Sequence, residues 1–316
     1  MLVCCVPFPA SAQCECDAED TLVVGHRGDG SGGDENTVAS VERAFAAGAD
    51  MVEIDVQLSA DGVVVLMHDD TVDRTTEGTG CVSAQTAAEL DTLGVPSLAT
   101  LLTAVDGALD VEIKLHDTDA CPAQDLEALA SAVAADLSGD PVAGRRVLVT
   151  SFDRALLQQL HADAPALPIG LLGASPTLID DAVEDGFEAA VLFGPVLNPR
   201  TVDRARDADI ALYAWTINGP DELADTLELG IEGVITDTIS DATTARDTVC
   251  ATWTCGTDAG PVLDAGTGED TGGGGCVVSH TRTSPVWMLA TLGLWLRRRR
   301  RGVEPHSFTS QGARRV

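Results

Sequence analysis

Lysine is almost missing from this chain. Lys114 is the only one in 316 residues, and arginine supplies every other cationic side chain. Basic residues are few altogether, 19 Lys and Arg against 50 Asp and Glu, which leaves a formal net charge of -31. Phosphate-backbone binding needs clustered Lys and Arg, so this balance argues against a nucleic-acid partner. Aromatic residues are only 3% of the chain, which removes base-stacking platforms as well. The acidity reads first as a well-solvated surface. Long apolar runs are also short in supply: VWMLATLGLWL at 286–296 is eleven residues, and a membrane-spanning helix needs ~20. Nine cysteines are present, at 4, 5, 14, 16, 81, 121, 250, 255 and 276, but none form the CxxC pairs of a zinc site. That many cysteines suggest an oxidising compartment.

What is there, between residues 20 and 249, is an alternation of short β-branched runs with helical patterns. Strands are predicted at 21–26, 51–58, 63–68, 109–115, 146–151, 168–172, 189–193, 210–217 and 232–236. Helices are predicted at 37–48, 97–105, 123–137, 153–162, 177–185, 199–207, 220–229 and 240–248. The fold class is α/β, and the alternation implies a (β/α)8 TIM barrel. One strand is surplus. Only Ser59 to Gly62 separate 63–68 from the strand before it, and a parallel neighbour needs a crossover of about a dozen residues. Asp61-Gly62 is a hairpin signal, so 63–68 is expected to fold back on 51–58. Pairing Leu58 with Val63 would set His68 opposite Glu53, a register open to a slip of a residue or two.

The ends read differently. Residues 1–19 look like the remnant of a signal peptide plus a Cys segment, with Ala10-Ser11-Ala12 as the cleavage-like site and the true start expected upstream of Met1. Cys14 and Cys16 precede the barrel and Cys250 and Cys255 follow it, so pairing between these groups is expected where barrel termini meet. Residues 250–285 form a Gly/Asp/Thr-rich linker. Residues 286–301 join the short apolar segment to five consecutive arginines, and 302–316 form a tail. Linker, Cys276, apolar run and Arg block together resemble a myxobacterial-type sorting tag, which implies export and periplasmic or cell-surface anchoring. The extra tail departs from that pattern.

Chemistry concentrates on three strands. Glu53 and Asp55 lie two apart in MVEIDVQL and share one strand face. Two desolvated carboxylates side by side repel, and a divalent cation relieves that cost. Glu112 and Lys114 repeat the spacing in VEIKLH. Three carboxylates on neighbouring strands make an oxygen-ligand site for Ca²⁺ or Mg²⁺ rather than zinc. Arg27 and Lys114 add fixed positive charge. His26 and His68 are the natural acid–base pair, because histidine is the side-chain type whose unperturbed pKa lies near neutrality. His116 reads as a rim residue and His161 as surface. Cation, arginine, lysine and paired histidines suit a phosphate ester.

The ordered set GHRG, ENT, EIDVQLSADGVVVLMHDDTVDRTTEGTG, VPSLATLL and VEIKL resembles the glycerophosphodiester phosphodiesterase family, and TSF, YAWTIN and GVITD continue it to about residue 240. The resemblance implies a TIM barrel, one divalent cation, and hydrolysis of small-molecule glycerophosphodiesters to sn-glycerol 3-phosphate and an alcohol. It implies His26 and His68 as the catalytic pair, and Glu53, Asp55 and Glu112 as metal ligands. It implies Arg27 and Lys114 as phosphate-binding cations, with Trp215 at the substrate mouth. Asp34 stands where the family commonly has proline. Two other classes share parts of this set: a sphingomyelinase D-like lysophospholipid phosphodiesterase, and a catalytically silent surface binding barrel.

Overall fold

The computed structural model describes residues 20–115, 120–138 and 146–252. In chain order its elements begin β1 (Leu22–Gly25), α1 (Val38–Ala46), β2 (Met51–Leu58), β3 (Val64–Leu66), α2 (Ala87–Thr92), α3 (Leu98–Ala104) and β4 (Ala108–Ile113). They continue α4 (Leu126–Leu137), β5 (Val147–Ser151), α5 (Arg154–Asp163), β6 (Ile169–Gly173) and α6 (Leu178–Asp185). The last are β7 (Ala189–Phe193), α7 (Pro199–Asp207), β8 (Ala211–Trp215), α8 (Pro220–Glu228), β9 (Gly233–Thr236) and α9 (Ile239–Thr252). Eight parallel strands close a ring because β1 pairs with both β2 and β9. The ninth, β3, pairs antiparallel with β2 outside that ring. This is the TIM barrel expected from the alternation.

Local sequence explains the helix starts. Thr37 and Ser40 form a reciprocal capping box on α1, and Asn198 caps α7 with Pro199 in its first turn. Apolar faces of the helices and outward strand residues such as Val52, Ile54, Val111 and Ile113 form the main core. A smaller cluster fills the barrel itself: Val24, Met51, Leu148, Leu172, Val191, Tyr213 and Ile235. Gly233 makes room there, since a Cβ would lie 2.6 Å from the Tyr213 ring.

Two expectations need correction. The hairpin register runs one residue further than predicted, Leu58 opposite Val64 and Val56 opposite Leu66. Gly62 turns with φ +80°, and Val63 is used up closing the turn through its carbonyl to Ser59 N (2.9 Å). Consequently β3 stops at Leu66, and His68 lies beyond it rather than opposite Glu53. His161, expected at the surface, is half-buried edge-on to Phe187 with Nδ1 unpartnered. Two features were not anticipated. One is α2, capped by a Thr86/Glu89 box. The other is a Cys81–Cys121 disulfide, with Cα atoms 5.6 Å apart, tying the segment after β3 to the segment after β4. Cys250 is also disulfide-bonded. Cys14, Cys16 and Cys255, the signal-peptide segment, His116, most of the linker, and the apolar and Arg-rich tail lie outside the described residues. Among the described residues no helix is long and apolar enough to cross a membrane.

Candidate active site

The site is built where β1 ends. His26 follows the strand, and Arg27 turns into the left-handed region at φ 57°. Gly28 follows at φ +88°, where a Cβ would also strike Ser40 Oγ at 2.4 Å. A glycine is required at that point on both counts. The turn aims the Arg27 amide at Glu53 Oε2 (2.8 Å) and its side chain at Glu35 Oε1 (Nη1, 3.1 Å) and Asp55 Oδ2 (Nε, 3.4 Å). Asn36, also left-handed at φ 54°, grips Asp55 from both ends: Nδ2 donates to Oδ2 (2.7 Å) and Oδ1 accepts from Asp55 N (2.9 Å). Asp34 pairs with Arg43 and accepts from Thr37 Oγ1 (2.8 Å). Charge and a hydrogen bond therefore pin the Gly-rich loop at Asp34.

Glu53 and Asp55 on β2 and Glu112 on β4 are buried and each offers an oxygen within 4.8 Å of the others. Glu53 Oε1 and Asp55 Oδ1 are buried with no hydrogen-bond partner. A buried carboxylate oxygen left without a donor is costly, and two such oxygens on residues grouped with a third carboxylate fit a hard divalent cation. The protonation chemistry agrees. Burial, then the charges of Asp55, Glu112 and Asp110, push the Glu53 carboxyl well above its ordinary range. Burial and Asp55 push Glu112 up to about 7. Deeper in the barrel, burial pushes Asp110 up to about 8, although Thr150 Oγ1 donates to it (2.8 Å).

Positive charge is held at the same mouth. Lys114 Nζ donates to Glu112 Oε1 (2.9 Å) and lies 3.8 Å from Asp55 Oδ1. Burial works against both the Lys114 and Arg27 charges, but the carboxylates around them more than offset it, so both pKa values are raised. Each histidine is backed by a carboxylate. His26 Nδ1 meets Asp237 Oδ1 at 2.6 Å, and Asn218 Nδ2 holds the other Asp237 oxygen (2.7 Å). His68 Nδ1 meets Asp69 Oδ1 at 2.8 Å. The His68 segment is fixed from below by Gln57, whose Nε2 donates to the carbonyls of Met67, His68 and Asp69. Trp215 closes the β8 side, anchored by Nε1 to the Val191 carbonyl (3.2 Å) and flanked by Phe152 and Phe193. Lys114 Nζ sits 5.9 Å from the Phe152 ring centre.

All eight residues named from the sequence thus have a place at this mouth. His26, Arg27, Glu53, Asp55, Glu112 and Lys114 form one bonded cluster. His68 joins it through Asp69, Arg74 and Glu35, and Trp215 through Phe152. Glu35, Asn36, Asp69, Arg74, Asn218 and Asp237 were not singled out. Their signal lay only in their membership of the family-like stretches ENT, HDDTVDR, YAWTIN and GVITD.

Ionisable groups at the C-terminal ends of barrel strands define an enzyme mouth, and this one suits a phosphate diester. Likeness to known proteins narrows the class. The sequence matches the glycerophosphoryl diester phosphodiesterase family over residues 26–241, and the chain belongs to that enzyme family. It is 30% identical over 235 residues to a glycerophosphodiester phosphodiesterase of Caldanaerobacter subterraneus, covering 69% of this chain and 94% of the relative. A Bacillus subtilis glycerophosphodiester phosphodiesterase is 29% identical over 243 residues, covering 68% and 83% of the two chains. In structure the chain is similar to an Oleispira antarctica phosphodiesterase in complex with the product sn-glycerol-3-phosphate. That likeness has a TM-score of 0.65 and 25% identity, over 73% of this chain and 99% of the other.

Proposed function

We propose that this chain hydrolyses glycerophosphodiesters to sn-glycerol 3-phosphate and an alcohol, with one bound Ca²⁺ or Mg²⁺. The observation that carries the reading is the pair of orphaned oxygens, Glu53 Oε1 and Asp55 Oδ1, beside Glu112 and Arg27. Relatives of the same family bear the activity in their names, and the Oleispira protein binds the product. Glu53, Asp55 and Glu112 would hold the cation. When bound, it would supply Lewis-acid stabilisation of charge on the phosphoryl oxygens.

The rest follows from the chain's own groups. Arg27 binds a non-bridging phosphate oxygen. One histidine takes the proton of the glycerol hydroxyl next to the ester, and that oxygen bonds to phosphorus. The bond from phosphorus to the alcohol oxygen breaks, and the other histidine supplies that oxygen with its proton. The cyclic glycerol phosphate is then opened by water with the two roles exchanged. Asp69 holds the Nδ1 side of His68 and turns its Nε2 to the proton transfer, whereas His26, held at Nδ1 by Asp237, exchanges the Arg27 Nε hydrogen bond at its Nε2 for the substrate proton. Trp215 packs on the glycerol carbons. Phosphorus NMR of a glycerophosphocholine reaction tests this: a transient cyclic glycerol phosphate followed by glycerol 3-phosphate is expected. Phosphocholine as the phosphorus product would contradict it.

A second substrate class is favoured by one observation. Phe152 and Phe193, 45% and 39% exposed, extend the apolar rim beside Trp215. A lysophospholipid assay separates that reading by its cyclic lysophosphatidic acid product. We also propose that the protein works in an oxidising, exported setting, which the Cys81–Cys121 disulfide supports.

A further inference from the structure

We infer that Arg74, a half-exposed residue outside the acidic triad, is a positioning residue that fixes His68 and Arg27 relative to one another through two carboxylates. The inference rests on the phosphodiesterase reading above. The Arg74 guanidinium is shared between Asp69 and Glu35. Nε and Nη2 donate to Asp69 Oδ2 and Oδ1 (2.5 and 3.0 Å). Nη1 and Nη2 donate to Glu35 Oε2 and Oε1 (2.8 and 2.7 Å). Each carboxylate has a second task. Asp69 Oδ1 holds His68 Nδ1 (2.8 Å), and Glu35 Oε1 holds Arg27 Nη1 (3.1 Å). Arg27 Nε in turn donates to His26 Nε2 (3.2 Å). One side chain therefore joins the two halves of the site, which approach from the turns after β1 and after β3.

A single exposed ion pair adds little to stability. This arrangement differs because the planar fork satisfies two carboxylates at once, and a lysine cannot reproduce that. The loop that presents Arg74 is itself held, by the Thr71–Cys81 bridge, by Val72 N bonding the Gly80 carbonyl (3.0 Å), and by the Cys81–Cys121 disulfide. The electrostatics point the same way: Arg74 hydrogen bonding holds the Asp69 carboxyl down at about 2 and, after burial's opposing effect, lowers Glu35 as well. Without Arg74 the two carboxylates repel, Asp69 is free to leave His68, and Arg27 loses the backing of Glu35. The ground-state site survives, but the histidine no longer meets the proton at the right angle.

The test uses the full chain with glycerophosphocholine and added Ca²⁺. Arg74→Met should lower kcat about 10–100-fold with KM within about three-fold of wild type. Arg74→Lys should fall between the two. In an Asp69→Asn background, Arg74→Met should add less than about two-fold, because both act through one link. A kcat within two-fold of wild type in Arg74→Met, or losses that multiply in the double variant, would overturn the inference. Should Arg74→Met fail to fold, a folded Arg74→Lys with wild-type kcat overturns it instead. The ring ¹⁵N resonances of His68 give a readout independent of turnover and should move in Arg74→Met. A wild-type chain without turnover would sink the phosphodiesterase reading, and an unmoved His68 spectrum would separately sink the positioning role.

Discussion

At Arg27 the backbone leaves β1 in a left-handed conformation, and that departure lets one residue bond Glu53 through its amide while its side chain reaches Glu35 and Asp55. A left-handed backbone at a long side chain is uncommon, and here it places fixed positive charge against the acidic triad. The histidines carry the proton transfers. His68 is partly exposed beyond the end of β3 and fills no core position. Replacing it by alanine should therefore cost about 10²–10⁴ in kcat with little change in thermal midpoint. Turnover near wild type in a folded His68→Ala would remove it from the chemistry. Of the eight chosen residues, Trp215 was legible only through the family resemblance, and the other seven were legible because ionisable groups on apolar strands and at their ends are costly to place without a use. Their partners were not. Glu35 and Arg74 are 39 residues apart and His26 and Asp237 211 apart, distances over which periodicity carries no information.

At the level of elements, the strand and helix alternation was readable because parallel barrel strands are short buried runs between amphipathic helices. The six residues of α2 bury only Leu90, too little for a periodic signal, although the Thr86/Glu89 box marks its start. The hairpin was legible from Asp61-Gly62, but its register depended on how many residues the turn consumed. That turn opens a small lobe with its own apolar cluster, Val65, Met67, Val72, Val82, Leu90 and Val95. So small a core has limited stability of its own, and the Cys81–Cys121 disulfide, closing a 40-residue separation, is the staple that ties it down. Its removal in a Cys81→Ser/Cys121→Ser double variant should lower unfolding stability by roughly 2–4 kcal/mol. Urea denaturation measures this, and an unchanged midpoint would mean that the lobe is held by packing alone.

Across the whole molecule, an acidic chain concentrates carboxylates inside its barrel as well as on its surface. Glu112, raised from an ordinary 4.5 to about 7, and Glu53, raised well above its ordinary range by burial and neighbouring charge, bind protons more tightly folded than unfolded. The stability they contribute is full below the unfolded value and is lost as pH climbs through the folded one. The cation-free protein should therefore lose thermal stability between about pH 4.5 and about pH 7, by at least about 5 °C. Saturating Ca²⁺ should flatten that slope, because a bound cation favours the ionised carboxylates. Scanning calorimetry with and without cation checks both parts, and a cation-free midpoint that rises over this range would contradict the assignment of the triad.

The most direct measurement is release of sn-glycerol 3-phosphate from glycerophosphocholine by the full chain, before and after EDTA and again after Ca²⁺ or Mg²⁺ add-back. Turnover abolished by EDTA and restored by one of the two cations is the expected result. A folded protein that releases no glycerol 3-phosphate with either cation, or that turns over equally well in EDTA, would contradict a cation-dependent glycerophosphodiesterase built on Glu53, Asp55 and Glu112.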